Sequence, residues 1–214
     1  MNTTRRYFLD KFMEENNILI NGDILDIGGV RGLSRGNYKY SEYQENKRKV
    51  LNIIEKANPD YLHSIEEDLN LSAKFDTFIV NEVIEYIDDL DILFMNILKV
   101  SNKRITLIMT WPWMNTFHGD KENDLKRYSK YYILRILKKY NFRIQYIGNN
   151  GGLFSVIWDF LHTINNHNNN FLSRKLFRVF LFLTFKFSIR IDKIFNTSNI
   201  LTTGFTMVAI KSDN

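Results

Sequence analysis

The sequence predicts an α/β fold built on an open, mostly parallel sheet, and three observations carry that reading. The first is Asp23-Ile24-Leu25-Asp26-Ile27-Gly28-Gly29-Val30-Arg31-Gly32, a short buried strand that ends in a carboxylate and runs straight into glycines. The second is a series of short apolar runs, 50–55, 75–80 and 103–110, interleaved with stretches of helical spacing. The third is composition. With 214 residues, 44% of them hydrophobic and 25% charged, the chain can bury the core of one domain, and 14% aromatic residues make that core rich in rings. The absence of cysteine removes disulfides and thiolate chemistry from consideration. A net charge of +5 without a dense basic cluster argues against a nucleic-acid partner.

Taken in order, residues 3–16 set Tyr7, Phe8, Phe12 and Met13 near helical spacing among charged neighbours, which predicts an amphipathic helix covering one face of the sheet. The same segment lacks the apolar core of a signal peptide, so a cytoplasmic location is expected. At the glycine turn a dinucleotide loop would need glycine at 28, 30 and 33, but Val30 and Leu33 stand at two of those positions. A carboxylate at Asp26 repels a pyrophosphate and attracts an ammonium, which favours a cofactor bearing an amino acid. Residues 34–49 are polar and rich in Tyr and read as a loop with at most a short helix.

A second strand is expected over 50–55, ending in Glu55 about 23 residues past the glycine turn, where a carboxylate can accept two hydrogen bonds from a ribose diol; Asn52 is the alternative in register. Residues 58–60 form a turn and 61–65 a short third strand, followed by Glu66-Glu67-Asp68-Leu69. The fourth strand, 75–80, ends at Asn81-Glu82, and Asp88-Asp89 cap a helix over 90–100. The fifth strand, 103–110, ends in Trp111-Pro112-Trp113, an aromatic wall that either lines a pocket or caps the core. A helix over 130–140 and a strand over 141–147 follow, then Gly151-Gly152, a helix over 153–164, a polar hinge at 165–170 and a closing strand over 202–211. His162 and His167 have neither cysteine nor clustered carboxylates with them, so no metal site is expected. Residues 171–195 are dense in Phe and Leu but interrupted by Arg174, Lys175, Arg178, Lys186, Arg190 and Lys193, too charged to span a bilayer. As a basic amphipathic element this segment has four readings: peripheral contact with an anionic membrane, a lid, a homodimer interface, or packing within the chain.

Three stretches in this order resemble the class I S-adenosylmethionine-dependent methyltransferases. They are the acid and glycines at Asp26, Gly28, Gly29 and Gly32; the run Phe75-Asp76-Thr77-Phe78-Ile79-Val80-Asn81-Glu82-Val83-Ile84-Glu85-Tyr86, with Tyr86 where His is usual; and His118-Gly119, Asp124 and Arg127-Tyr128-Ser129 ahead of a helix. The last is similar to methyltransferases encoded among surface-polysaccharide genes. The resemblance covers roughly residues 20 to 152. It implies a Rossmann-like methyltransferase sandwich: a mostly parallel seven-stranded sheet whose last strand is antiparallel, in a single domain over 1–214 with a helical insertion or lid at 153–199. It implies S-adenosylmethionine as cofactor, held by Asp26, Gly28, Gly29, Gly32, Glu55, Asp68, Leu69, Asn81 and Glu82, with Asp68 and Leu69 over the adenine.

If the aromatic wall lines a pocket, Trp111, Trp113 and Tyr128 are the candidates to contact an acceptor, which by the resemblance is a sugar or other small-molecule or glycan hydroxyl. His118, whose ordinary pKa lies near neutrality, is the candidate general base. Asp124 and Arg127 are expected to pair and fix the loop at the start of the helix. An RNA methyltransferase and a non-catalytic binding or membrane-recruitment module are the alternatives.

Overall fold

The computed structural model describes residues 2–31, 37–116 and 122–212. Seven strands form one sheet: β1 Ile24–Ile27, β2 Arg48–Asn52, β3 Tyr61–Leu62, β4 Phe75–Asn81, β5 Ser101–Pro112, β6 Arg143–Asn150 and β7 Gly204–Ser212. Their order is β3-β2-β1-β4-β5-β7-β6, parallel from β3 through β5. The last strand, β7, lies antiparallel between β5 and β6. This is the sheet expected from the sequence.

Alternation along the strands assigns the two faces. Leu25, Ile27, Phe78, Val80, Leu107, Met109, Met207 and Ala209 join one core with α3 (Leu90–Lys99) and α4 (Lys130–Lys139). On the other face Ile24, Ile79, Ile108 and Val208 meet Leu9, Phe12 and Met13 of α1 (Thr4–Glu15). Asp26 follows Ile24 by two residues and therefore points to the side that α1 covers. The short helix α2 (Glu42–Lys47) starts on a capping box, with Ser41 accepting from the Gln44 N–H and Gln44 accepting from the Ser41 N–H.

Two buried carboxylates tie the remaining helices to α1. Asp159, on α5 (Leu153–Asn166), accepts from the backbone N–H groups of Thr4 at 2.7 Å and Arg5 at 3.2 Å, satisfying orphan donors of the first turn of α1. Asp192, on α6 (Phe171–Phe195), does the same for α5, accepting from Gly152, Phe154 and Ser155, each at 2.9 Å. α1 and α5 thus each begin on a carboxylate supplied by a later helix.

Several boundaries differ from expectation, three of them near the candidate strand ends. β2 begins at Arg48 and stops at Asn52, because Arg48 is buried against Asp26 rather than solvated. β3 is only two residues long. β5 runs on through Trp111 and Pro112, which pair with Phe205 and Gly204 of β7.

Candidate functional site

A cavity of about 310 Å³ opens at the carboxyl ends of β1 and β4, between the sheet and α1. Arg6, Leu9 and Met13 form its α1 wall, Asp26, Gly28 and Gly29 its floor, and Tyr38, Tyr40, Glu45 and Arg48 one side. Asn81 and Glu82 close the other side. Ligands of open α/β sheets sit at this edge.

The turn itself is shaped by what glycine leaves out. Gly28 has φ +75°, and a Cβ there would stand 2.4 Å from Val83 Cγ2. A Cβ on Gly29 would come within 2.4 Å of the Asp26 carboxyl carbon. The Gly28 N–H donates to the Leu51 carbonyl at 2.8 Å, and Asn52 Nδ2 donates to the Gly29 carbonyl at 2.7 Å, so β2 fixes both glycines.

Asp26, whose charge is expected to attract a cofactor ammonium, has partners within the chain. Arg48 Nη1 donates to it at 2.8 Å and the Tyr40 hydroxyl at 3.3 Å. The Arg48 guanidinium also forks onto Glu45, at 2.9 and 2.7 Å, and lies 4.5 Å from the centre of the Tyr40 ring. Burial pushes the Asp26 carboxyl up, and Arg48 works against that shift. For Arg48 burial acts against the charge, but the hydrogen bond to Glu45 and the Asp26 carboxylate hold its pKa raised. Burial, with Asp26 beside it, pushes the Tyr40 hydroxyl well above the usual tyrosine value. Arg48, Tyr40 and Glu45 were not singled out from sequence. The signal that could have found them is a buried acid at position 26, which requires a cation on a neighbouring strand.

Asn81 closes β4 with its Nδ2 3.3 Å from Met13 Sδ, while its buried Oδ1 has no hydrogen-bond partner among the described residues. That oxygen is an acceptor on the cavity wall. Glu82 has φ 57°, receives the Thr110 hydroxyl at 3.2 Å and pairs with Arg5. Glu55 lies exposed in the single turn Glu55–Ala57 beyond β2 and is not part of the cavity wall. This corrects the expected strand end: Asn52 stands there, holding Gly29 on one side and accepting from the Ile54 N–H at 2.9 Å on the other. Asp68 is exposed and paired with Lys99, and Leu69 is buried in the larger core. Gly32 and His118 lie outside the described residues.

The predicted acceptor residues separate. Trp111 is completely buried, its indole N–H donating to the Tyr128 carbonyl at 2.9 Å, because β5 carries it into the core instead of ending before it. Tyr128 stacks on Tyr132 and donates its hydroxyl to the Ile87 carbonyl at 3.3 Å. Trp113 lines a groove of about 450 Å³ with residues 114–116, residues 124–127 and Phe160. In that groove Asp124, buried, and Arg127 form the expected pair, two-pronged with one contact at 2.8 Å, and the hydrogen bond that Arg127 donates to Asp124 raises the Arg127 pKa. Burial, with Glu85 beside it, pushes the Tyr86 hydroxyl up to about 12. Among the described residues no metal-binding cluster of His and acidic side chains forms, and His162 stacks on Trp158.

No protein-family profile matches the sequence, and no curated protein matches it. Solved structures do match by shape. The O-methyltransferase of a trans-AT PKS multienzyme of Brevibacillus brevis, in complex with S-adenosyl-L-homocysteine, superposes with TM-score 0.60 at 16% identity, over 95% of this chain and 71% of that one. A SAM-dependent methyltransferase of Archaeoglobus fulgidus gives 0.57 at 16% identity, over 96% and 94%. The cyclase SpnF gives 0.55 at 12% identity, over 96% and 80%. At these identities the likeness is one of fold, and the fold is the Rossmann-like one of class I methyltransferases.

Proposed function

We propose that this chain is an S-adenosylmethionine-dependent methyltransferase that methylates an oxygen of a sugar or other small-molecule or glycan acceptor. The observation that carries the reading is the cavity at the ends of β1 and β4, in a fold whose solved relatives include methyltransferases with S-adenosylhomocysteine bound. The residues present fit the cofactor. Asn81 Oδ1 is a buried acceptor with capacity for an ammonium N–H, and Gly28 and Gly29 leave the floor open where any side chain would intrude. Asn52 keeps one amide hydrogen and one lone pair beyond its two bonds, enough to meet a ribose hydroxyl. Asp26 acts through Arg48 and Tyr40, fixing the wall, while Glu82 is held in place by Arg5 and Thr110.

Bound S-adenosylmethionine supplies an electrophilic methyl on a sulfonium. The chain's tasks are then to align the acceptor, worth up to about 7–11 kcal/mol, and to take its hydroxyl proton, worth about 10²–10⁴-fold. His118 is assigned the second task on the similarity of its motif and on an ordinary imidazole pKa near neutrality. The polysaccharide reading rests on the similarity of the His118 to Ser129 motif.

Calorimetric titration with S-adenosylmethionine and S-adenosylhomocysteine tests the cofactor site. Wild type binds both, and Asn81→Leu binds at least about tenfold more weakly while keeping its circular dichroism. No heat from folded wild type with either ligand overturns the proposal. Transfer of labelled methyl groups to nucleotide sugars then tests the acceptor, with His118→Ala lowering kcat by about 10²–10⁴-fold. Transfer that requires RNA, or cofactor binding without transfer, would replace the glycan reading by one of its rivals.

A further inference from the structure

The longest helix, α6, turns large apolar side chains away from the protein. Its inner side holds Leu181, Ser188, Ile189 and Asp192, and Trp158 of α5 donates its indole N–H to the Leu181 carbonyl at 3.0 Å. Opposite that side, Leu172, Leu176, Val179, Leu183, Phe187 and Ile194 recur at intervals of three, four and seven residues, so they form one ridge. The 25-residue helix is about 37 Å long at 1.5 Å per residue. Each ridge residue is 55–75% exposed. Scattered exposed apolar residues are ordinary, but a continuous ridge of them marks an interaction surface.

Charge identifies what the ridge meets. On the helical wheel Lys175, Lys186 and Lys193 fall along one flank of the ridge, and Arg190 falls within it. The one acid of the helix, Asp192, is buried under the N-terminus of α5. The surface that α6 offers is therefore apolar and cationic, with no carboxylate of its own. A second copy of the helix would set like charges against one another, whereas a sheet of anionic headgroups over acyl chains complements both features. A cavity of about 450 Å³ indents the same helix where it meets α1, lined by Tyr7, Phe182, Leu183, Phe185 and Lys186 together with the polar Asn2 and Asn37. No helix among the described residues is long and apolar enough to cross a membrane.

We propose that α6 docks the protein on the surface of an anionic lipid bilayer, the Leu172-to-Ile194 ridge entering the headgroup boundary and the flanking lysines meeting the lipid phosphates. This proposal does not depend on the methyl-transfer reading.

Flotation of the full chain with vesicles tests it. Wild type floats with vesicles containing phosphatidylglycerol and not with phosphatidylcholine alone, and the bound fraction falls as salt rises. Leu183→Glu combined with Phe187→Glu abolishes flotation. Lys186→Glu and Lys193→Glu each lower partitioning by on the order of fivefold or more. Circular dichroism confirms that each variant is folded, and the lysine variants keep the test decisive if the ridge variant is not. Wild type that stays at the bottom of the gradient with both vesicle types overturns the proposal, as does flotation indifferent to lipid charge and to all the variants. A dimer in size-exclusion chromatography that the ridge substitutions convert to monomer, with no vesicle binding, assigns the ridge to a second copy instead.

Discussion

At the cavity the charge is inside, and along α6 the apolar surface is outside. Asp26 and Arg48 are 6% and 4% exposed at the heart of a polar cluster, whereas Leu183 and Ile194 are 71% and 75% exposed on a helix full of Phe and Leu. The difference lies in where each unfavourable term is offset. The buried pair is compensated within the chain, by a short ion pair, the Tyr40 hydroxyl and ring, and the Glu45 fork. The α6 ridge meets no such compensation among the described residues, and in the docking proposal a lipid surface supplies it. Substitution in the two regions should therefore have opposite signatures: large losses of stability at the first, small ones at the second.

The sharpest contrast is expected from Arg48→Met. It leaves Asp26 buried without its cation and should cost about 3–5 kcal/mol in urea unfolding, and adding Asp26→Leu should recover most of that loss because both charges are then gone. A single loss with no recovery would show that Arg48 acts through Glu45 and Tyr40 rather than through Asp26. A smaller effect concerns Asp159, the carboxylate between the two regions. Burial pushes it up to about 6 in the folded chain, despite hydrogen bonds from Thr4 and Arg5, against an ordinary value of 3.8. The folded state then holds a proton that the unfolded state has released, so this group makes stability rise as pH falls from about 6 to about 4, by about 2–3 kcal/mol in all. Asp159→Asn should flatten that part of the unfolding profile. Asp60 and Asp91, held below the usual carboxylate range chiefly by hydrogen bonds, act with the opposite slope and only below about pH 4, where their stabilisation is lost as they protonate. The smallest effect is expected on α6. Without lipid, Leu183→Glu or Phe187→Glu should move the unfolding free energy by less than about 0.5 kcal/mol, and a loss of several kcal/mol would mean that the ridge is packed against the protein after all.

Much of the fold is legible in the sequence because it is written in local pattern. α6 occupies the residues its composition marks, with Asn170 accepting from the Leu172 and Ser173 N–H groups at its start. β4 is equally plain, since five of the six residues between Lys74 and Asn81 are apolar or neutral, Asp76 being the exception. What local pattern misrepresents is any residue whose environment comes from a distant strand. Arg48 reads as solvated in Asn46-Lys47-Arg48-Lys49, but its burial is decided by Asp26. Pro112 reads as a strand end, yet β7 arrives beside it with Gly204, whose missing side chain allows the approach to the Trp111 carbonyl. The candidate site divides the same way. Asp26, Gly28, Gly29, Asn81 and Glu82, all near strand ends, reach the cavity, whereas Glu55 depended on a strand boundary that Asn52 sets three residues earlier.

The two capping carboxylates also order assembly in time. Thr4 and Asp159 are separated by 155 residues and Gly152 and Asp192 by 40, and loops of that size close slowly relative to local turns. In a chain emerging from the ribosome α1 comes well before the group that completes its opening turn, and that group's own helix waits for residue 192. β7, last of the strands, must then slip between β5 and β6, which were made before it. The α1 wall of the cavity is consequently made well before it is secured, so a chain stalled or cut short before residue 159 would carry every cavity residue and still lack the supports that hold them.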